Sequence, residues 1–528
     1  NDKSRWTCNK CGEPRSSPRG YTNLTDHLPR CIGEDWEAQM ESHLKKHGIV
    51  INSDGSFSSG KRLSQKAISS FVSTGDNELR CFNWMRWLAV RNMPLSEIDN
   101  PLTREMVKYK PYCSKSMRKY IVATAQKTES AIAEELKAAG LVSLLMDGWT
   151  ADGTSTHYIG IFAGYECPKT KKYKEALLAC SPTLEEDDLG ADAHIALFES
   201  TLELYDLSKE KIVCLVGDNC STNKAIARQW GLPLVGCASH RFNLAVKKWI
   251  SEQPGLEDAL ESLATLMSKA ACLKSAALLR DLTLEQHGKS LKAVLHNATR
   301  WTSVFTMVTR YLKIKPQLEK IKALQAYWLS NSENLHIMEA KEHFDAFKPI
   351  TVEIQGKGVD LSYVRQQFDV LLKKEDYMCM EQYISATGRI VTDEHFESGC
   401  VKIIRGDRLN DAETEACAKL KKPVVAVDDV IADGDNSALD NSGAAADVIR
   451  ELALNRKKRQ KIRHGEAPSD ANNAAYYDVS NIICATSNCC ERLFSKAKYI
   501  LLPHRRGMSP LVFEALLFLK ENISFWDV

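Results

Sequence analysis

The feature that most constrains this chain is a buried-strand segment that ends next to an acidic residue and leads into an amphipathic helix. Ile212–Val216 contains only Ile, Val, Cys and Leu, a composition typical of a strand buried on both faces. Gly217 ends the run, Asp218 follows it, and we expect Ser221 to cap a helix over residues 223–230. Ligands collect at the carboxyl ends of strands in open α/β sheets, so Asp218 is a candidate functional residue. An acid at this position is also an ordinary helix cap.

Other segments of this region have the same strand-like composition. They are residues 141–146, 158–165, 175–180 and 232–237. A helical pattern over residues 192–205 lies between the strand-like segments 175–180 and 212–216. Asp147 follows the first of them directly. We therefore predict an α/β fold in which Asp147 and Asp218 lie at adjacent strand ends. Two such carboxylates can hold a pair of Mg²⁺ ions about 4 Å apart, an arrangement that suits phosphoryl transfer.

The composition is that of a large globular protein. The 528 residues suffice for three or four domains, and 44% are hydrophobic and 26% charged. A net charge of +2 means that any surface for nucleic acid must be local. Seventeen scattered cysteines favour a reducing compartment, with some thiols as metal ligands and most as buried apolar groups. We see no apolar run long enough to span a membrane.

The first 31 residues have the spacing of a zinc site, with four ligands: Cys8, Cys11, His27 and Cys31. A segment this short has too little core to fold alone, so the metal would supply its folding energy. Six basic and three acidic residues surround an aromatic residue, Trp6, which indicates a small DNA-binding module. His43 and His47, spaced four apart, are an alternative for the second ligand pair.

The middle of the chain is mostly helical in pattern. We predict a Ser- and Gly-rich linker over residues 48–78, a helical region over 79–140, and a long helical region over 253–422 in which residues 353–371 form one helix. Residues 423–447 contain six Asp and no Lys or Arg, and we expect disorder there. The basic cluster Arg456–Arg463 is a nuclear-import signal, a phosphate-contacting patch or a solvated helix face.

The C-terminal stretch adds a third carboxylate and two apolar helices. Glu491 lies near the start of a predicted helix that runs to Ile500, where it is either a site residue or a favourable contact with the helix dipole. A second helix follows Pro510 with an apolar face. We expect these terminal helices to mediate self-association, because apolar faces of this size are rarely left in water.

Two enzyme classes fit poorly. The chain has no Gly-rich GxxxxGK[ST] phosphate loop, so a nucleotide-driven enzyme is not indicated. Cys237 and His240 are three residues apart at one predicted helix start with no third orienting group, which disfavours a cysteine hydrolase.

Several motifs, in this order, resemble the hAT (hobo/Activator-type) DNA transposase superfamily. After the zinc segment, whose spacing resembles a BED-type finger, come LLMDGWT around Asp147, LVGDNCSTN around Asp218, CASH at 237–240 and ATRW at 298–301. The C-terminal block CERLFSKAKYILLPHRRGMSP…LLFLKEN completes the series, which covers nearly the whole chain. The stretch between Trp301 and Glu491 is shorter than the resemblance leads one to expect.

The resemblance implies a ribonuclease-H-like core interrupted by a helical insertion, and a nuclear protein that forms homodimers or larger oligomers. It implies an acidic triad of Asp147, Asp218 and Glu491 that binds Mg²⁺ or Mn²⁺, with Cys237 and His240 in support. It also implies that Arg300 and Trp301 contact DNA, the indole stacking on a flipped base. The DNA partners would be transposon ends and target.

The implied domain order has seven parts: zinc finger 1–47, linker 48–78, helical region 79–140, first part of the core 141–252, insertion 253–422, acidic then basic segment 423–470, and the end of the core with a dimerisation region 471–528. The alternative is a domesticated relative, a zinc-dependent DNA-binding and dimerising regulator of transcription without cleavage. The short insertion favours it, and the three acids favour the transposase.

Overall fold

A computed structural model describes most of the chain: residues 76–107, 112–151, 156–183, 188–296, 300–422, 475–501 and 508–526, with four short strands before residue 60. The proposed zinc ligands, the acidic segment and the basic cluster lie outside the described residues. The short strands form two antiparallel pairs, β1 (Arg5–Thr7) with β2 (Pro14–Ser16) and β3 (Ile49–Ile51) with β4 (Phe57–Ser59). The second pair occupies part of the predicted linker.

A five-stranded mixed sheet is the centre of the α/β fold. Its strands lie in the order β7-β6-β5-β8-β9 and are β5 Val142–Thr150, β6 His157–Glu166, β7 Tyr173–Ser181, β8 Ile212–Gly217 and β9 Leu234–Gly236. The first three pair antiparallel, and β8 and β9 are parallel to β5. All five predicted strands are therefore confirmed. The first continues three residues past Asp147, which lies inside the strand and not after it, because pairing with β6 extends to Thr150.

Helices make up most of the remaining described chain. They are α1 Asp76–Arg91, α2 Pro101–Met106, α3 Ser114–Ala138, α4 Ala191–Leu204, α5 Ser221–Trp230, α6 Ala238–Glu252, α7 Leu256–Ala270, α8 Leu273–His287, α9 Trp301–Leu318, α10 Asn331–Ile354, α11 Leu361–Leu372, α12 Glu381–Ile384, α13 Glu394–Arg405, α14 Asp411–Ala416, α15 Asn488–Ile500, α16 Pro510–Glu521 and α17 Ile523–Trp526. Short 3₁₀ turns lie at Leu95–Ile98, Lys209–Lys211, Lys322–Tyr327, Glu375–Met380, Ala418–Leu420 and Val479–Asn481.

Two local predictions about these helices are wrong. Cys220, and not Ser221, is the N-cap of α5, and its Sγ accepts the Asn223 N–H at 3.4 Å. The single helix expected over residues 353–371 is two helices, because α10 ends at Ile354 and α11 begins only at Leu361. No described helix is long and apolar enough to cross a membrane, and the described cysteines are free thiols, most of them buried.

The chain divides into two compact units. One contains Asn1–Thr128 with Tyr499–Val528, and the other contains Glu129–Lys498, which includes the whole five-stranded sheet. The helices α16 and α17 therefore belong to a different unit from the sheet, and the boundary between the units falls within the predicted segment 471–528. In the first unit, α16 packs on α1 and the Phe82 and Trp526 rings meet edge to face at 5.6 Å.

The terminal helices do not leave a broad apolar face in solvent. The buried side chains of α16 are Val512, Phe513, Ala515, Leu516, Leu517, Phe518 and Leu519, and Lys520 donates to the Val90 carbonyl at 3.1 Å. The physical argument for self-association through exposed apolar faces is therefore wrong for α16, since its apolar side chains are used inside the unit. Self-association rests on the resemblance alone.

Glu413 is a buried charge that ties together two helices of the larger unit. Its carboxylate accepts hydrogen bonds from Ser398 Oγ at 2.7 Å, Lys402 Nζ at 2.8 Å and the Asn410 N–H at 2.9 Å. The last bond belongs to a capping box that starts α14. Burial acts to raise the pKa of Glu413, but the bonds from Lys402 and Ser398 outweigh it and hold the pKa below its ordinary value.

We expect Glu413→Gln to lower the free energy of unfolding at pH 7 by about 1.5–3 kcal/mol, because charge-assisted hydrogen bonds are lost in a buried setting. A depressed carboxyl pKa stabilises the fold above the unfolded-state pKa of about 4.3 and loses that effect as the pH falls through the folded-state value. The difference from the wild type should therefore shrink at acidic pH. Urea unfolding at pH 7 and pH 4 measures it, with the exposed Glu415→Gln as control. An equal difference at both pH values would contradict the role of the charge.

Candidate active site

Two aspartates lie side by side on the central strands of the sheet. Leu145 of β5 pairs in parallel register with Val216 of β8, so Asp147 and Asp218, each two residues further on, come to equivalent positions. Both side chains are half-buried. The predicted placement of two acids at one edge of the sheet agrees with this register.

Helix α15 carries the third acid to the same edge of the sheet. The Cys490 thiol donates to the Gly160 carbonyl at 3.6 Å, and the Phe494 ring stacks on Trp149 with centroids 5.7 Å apart. Gly160 lies opposite Asp147 in the β5–β6 register, and a Cβ there would come within 3.1 Å of Leu493 Cδ2. The helix therefore packs directly on the backbone beside Asp147, and Glu491 lies in its first turn.

Long-range hydrogen bonds connect the start of α15 to the start of α6. Asn488 donates from Nδ2 to Ser239 Oγ at 2.8 Å, and the Ser487 N–H donates to Cys237 Sγ at 3.4 Å. Burial, with the nearby charge of Asp218, raises the pKa of the Cys237 thiol to about 12. The thiol of Cys237 therefore acts here as an acceptor that connects α6 to the start of α15.

The charges of Asp218 and Glu491 contribute to the raised pKa of Asp147. Burial and the neighbouring charge of Asp218 raise the pKa of Asp147 to about 7, with a smaller contribution from Glu491. The Gly148 N–H, which donates to Asp147 Oδ1 at 2.9 Å, and His240 act in the opposite direction. The charges of Asp218 and Glu491 therefore act on the carboxyl group of Asp147.

Two of the acids have cationic partners. His240 Nδ1 lies 2.8 Å from Asp218 Oδ2, and this hydrogen bond raises the pKa of His240 although burial opposes it. Arg300, the N-cap residue of α9, places Nη2 at 3.0 Å from Glu491 Oε1. Both pairs are partly exposed to solvent. Asp147 forms no ion pair with a Lys, Arg or His side chain among the residues that the structure describes.

The donor chemistry of this site fits Mg²⁺ or Mn²⁺, which prefer carboxylate oxygens. The arrangement fits less well: among the described residues, no three His, Cys, Asp or Glu side chains come together closely enough to hold a metal ion.

Trp301 does not have the position expected of a DNA contact. Its side chain is 2% exposed and packs among aromatic rings, with centroids 5.9 Å from Phe344 and 6.2 Å from Phe347. The backbone N–H of Trp301 donates to Asn243 Oδ1 at 3.0 Å. The structure corrects the expectation that the indole stacks on a flipped base, because the ring is part of the hydrophobic core. Arg300, with its side chain 58% exposed, stays available to a phosphate.

The sequence analysis did not identify the residues that position Glu491. Asn488 and Cys490 make the contacts described above, and Gly160, which has no side chain, lets Leu493 pack close to the sheet. The only sequence signal was their closeness to Glu491. Comparison with protein-family models and with curated proteins finds no match to this chain.

Proposed function

We propose that the protein is a DNA-binding transposase of the hAT type that cleaves and transfers DNA strands with metal ions held by an acidic triad. The observation that carries the proposal is the parallel register that brings Asp147 and Asp218 to equivalent positions, with Glu491 in the first turn of the helix that packs beside Asp147. We further propose that this sheet belongs to a ribonuclease-H-like core and that the helices of residues 253–422 are the insertion. The motif series supports both.

Each residue of the site has a role in this proposal. Asp147, Asp218 and Glu491 would hold the ions, and His240 would keep Asp218 oriented when no metal is bound. Bound divalent ions would activate the attacking hydroxyl and stabilise the leaving oxygen at a phosphodiester. Arg300 is positioned to contact a DNA phosphate once it is released from Glu491. Zinc held by Cys8, Cys11, His27 and Cys31, nuclear localisation and homo-oligomers remain parts of the same proposal.

The Arg300–Glu491 pair predicts an effect on metal affinity. An ion pair between partly exposed groups is worth up to about 1 kcal/mol, so Arg300→Gln should bind Mn²⁺ up to about fivefold more tightly in the absence of DNA. Calorimetric titration of the full chain with Mn²⁺ measures this. The control is Arg310→Gln, which removes a cation from the same helix whose side chain donates to the Lys292 carbonyl. Equal affinities in the wild type and both variants would show that the pair does not compete with metal.

A second candidate function is regulation without cleavage. The observation that favours it is the absence, among the described residues, of a preformed group of three metal-binding side chains, with Arg300 and His240 paired to two of the acids. In this case the protein would bind DNA specifically through its N-terminal module and assemble without cutting.

A nicking assay distinguishes the two functions. The substrate is plasmid DNA carrying the genomic sequences on both sides of the coding region, and we expect cleavage with Mg²⁺ or Mn²⁺. With Ca²⁺ we expect binding but little turnover, because its looser coordination suits in-line transfer poorly. Specific binding without cleavage under all three metals would contradict the transposase and support the regulator.

A further inference from the structure

A cavity of about 250 Å³ lies between the start of α6 and the helices α11 and α13. None of the acids of the candidate active site lines it. Four cationic side chains do, Arg241, Arg365, Lys402 and Arg405, together with three acidic ones, Asp369, Glu397 and Asp407. The lining therefore carries one more positive than negative formal charge, and apolar groups complete the walls.

The cationic side chains differ in how fully they are paired. Each nitrogen of the Arg241 guanidinium donates a hydrogen bond. Nη1 donates to Glu397 at 2.8 Å, and Nε and Nη2 donate to the carbonyls of Tyr383 and Ser385. Arg405 donates from Nε to Ser362 Oγ at 3.0 Å and has no carboxylate partner among the ion pairs of the described residues. Arg405 therefore keeps an uncompensated charge at the cavity.

Arg365 pairs with Asp369 and carries a buried nitrogen that makes no hydrogen bond. Its side chain is 11% exposed, and Nε donates to Asp369 Oδ1 at 2.7 Å. Nη2 lies 2.7 Å from the same oxygen, within ion-pair distance, but it is buried and its N–H groups make no hydrogen bond within the described structure. Burial, with a contribution from nearby Arg241, lowers the pKa of Arg365. A buried guanidinium N–H at a cavity wall is an open position for an anionic oxygen.

We propose that this cavity binds a phosphate group, either free phosphate or a backbone phosphate of nucleic acid, through Arg365 and Arg405. Lys402 also lines the cavity, but its Nζ pairs with Glu413 at 2.8 Å. A phosphate has several acceptor oxygens and can take hydrogen bonds from donors that approach from different helices, whereas a carboxylate has two. The cavity is small for a larger organic ligand, since such pockets usually exceed about 300 Å³. Phosphate binding in this cavity does not depend on DNA cleavage by Asp147, Asp218 and Glu491.

The test is thermal unfolding of the full chain with increasing inorganic phosphate at constant ionic strength. A ligand that binds only the folded state raises the unfolding midpoint, so we expect a saturable rise with phosphate and little rise with acetate. Arg365→Gln should weaken phosphate binding about tenfold, the effect of losing one charge-assisted hydrogen bond. Arg405→Gln, at an exposed position, should weaken it several-fold and serves if the Arg365 variant does not fold.

The matched control is Arg408→Gln, an exposed arginine three residues beyond Arg405 that does not line the cavity. It should respond to phosphate as the wild type does. If the occupant is a DNA phosphate, bound DNA should abolish the phosphate response and Arg365→Gln should weaken DNA binding. If it is free phosphate, both ligands should bind together. No phosphate response in the wild type, an equal response in Arg365→Gln, or an equal response to acetate would overturn the proposal.

Discussion

Replacing Asp147 or Asp218 with Asn, or Glu491 with Gln, is expected to reduce DNA cleavage about a thousandfold or more. Each change removes one anionic ligand with little change in volume, and metal catalysis of this kind contributes several kcal/mol to the barrier. The three losses should not add, because the carboxylates act as one unit. DNA affinity should persist or rise slightly, because a negative charge is removed near the polyanion.

The measurement combines the nicking assay with DNA binding for each single variant and the triple variant. Asp345→Asn is the control, an aspartate on α10 that forms only an exposed pair with Lys341. It should cleave at the wild-type rate. Cleavage that persists in Asp218→Asn refutes the triad, and a parallel loss of DNA binding would mean that the acids serve folding and not chemistry.

Glu397→Gln is expected to cost about 3–5 kcal/mol of stability, the usual result of leaving one partner of a buried ion pair without its counter-charge. The side chains of Arg241 and Glu397 are 6% and 12% exposed and 2.8 Å apart. Glu397 Oε1 also accepts the Gly236 N–H at 3.1 Å. Asp393 accepts the Leu234 N–H in the same way, at 2.8 Å. These two acids of the α13 segment satisfy the outer edge of β9, which would otherwise expose its backbone donors.

Urea unfolding of the variant and the wild type measures this cost. Glu252→Gln is the matched control, since Glu252 pairs with Lys248 on the surface and should change stability by less than about 1 kcal/mol. A double variant, Arg241→Met with Glu397→Leu, should recover part of the loss, because no buried charge is left unpaired. A loss no larger than that of the control would show that the edge of β9 does not depend on this pair.

The five strands of the sheet could be predicted from the amino-acid sequence alone. Apolar runs of five to eight residues predicted all five strands, because a strand buried on both faces has a composition that local inspection can detect. Asp147 and Asp218 could be placed together from those runs alone, since equivalent ends of parallel strands meet at one edge. The buried residues Ile121, Ala125, Ile132 and Leu136 of α3 likewise follow from helical spacing.

The tertiary structure decided which contacts those elements make. Trp301 lies in an aromatic core and Arg300 reaches Glu491, 191 positions further along the chain, although the two neighbours have the same local sequence context. The helix α16 packs on α1, a partner more than 400 positions earlier in the chain. Ser487 bonds to Cys237 across 250 residues, and Glu397 completes the edge of β9 from a distant helix. Local spacing records which face of an element is apolar, but the partner of that face depends on how the whole chain closes, which no short segment specifies.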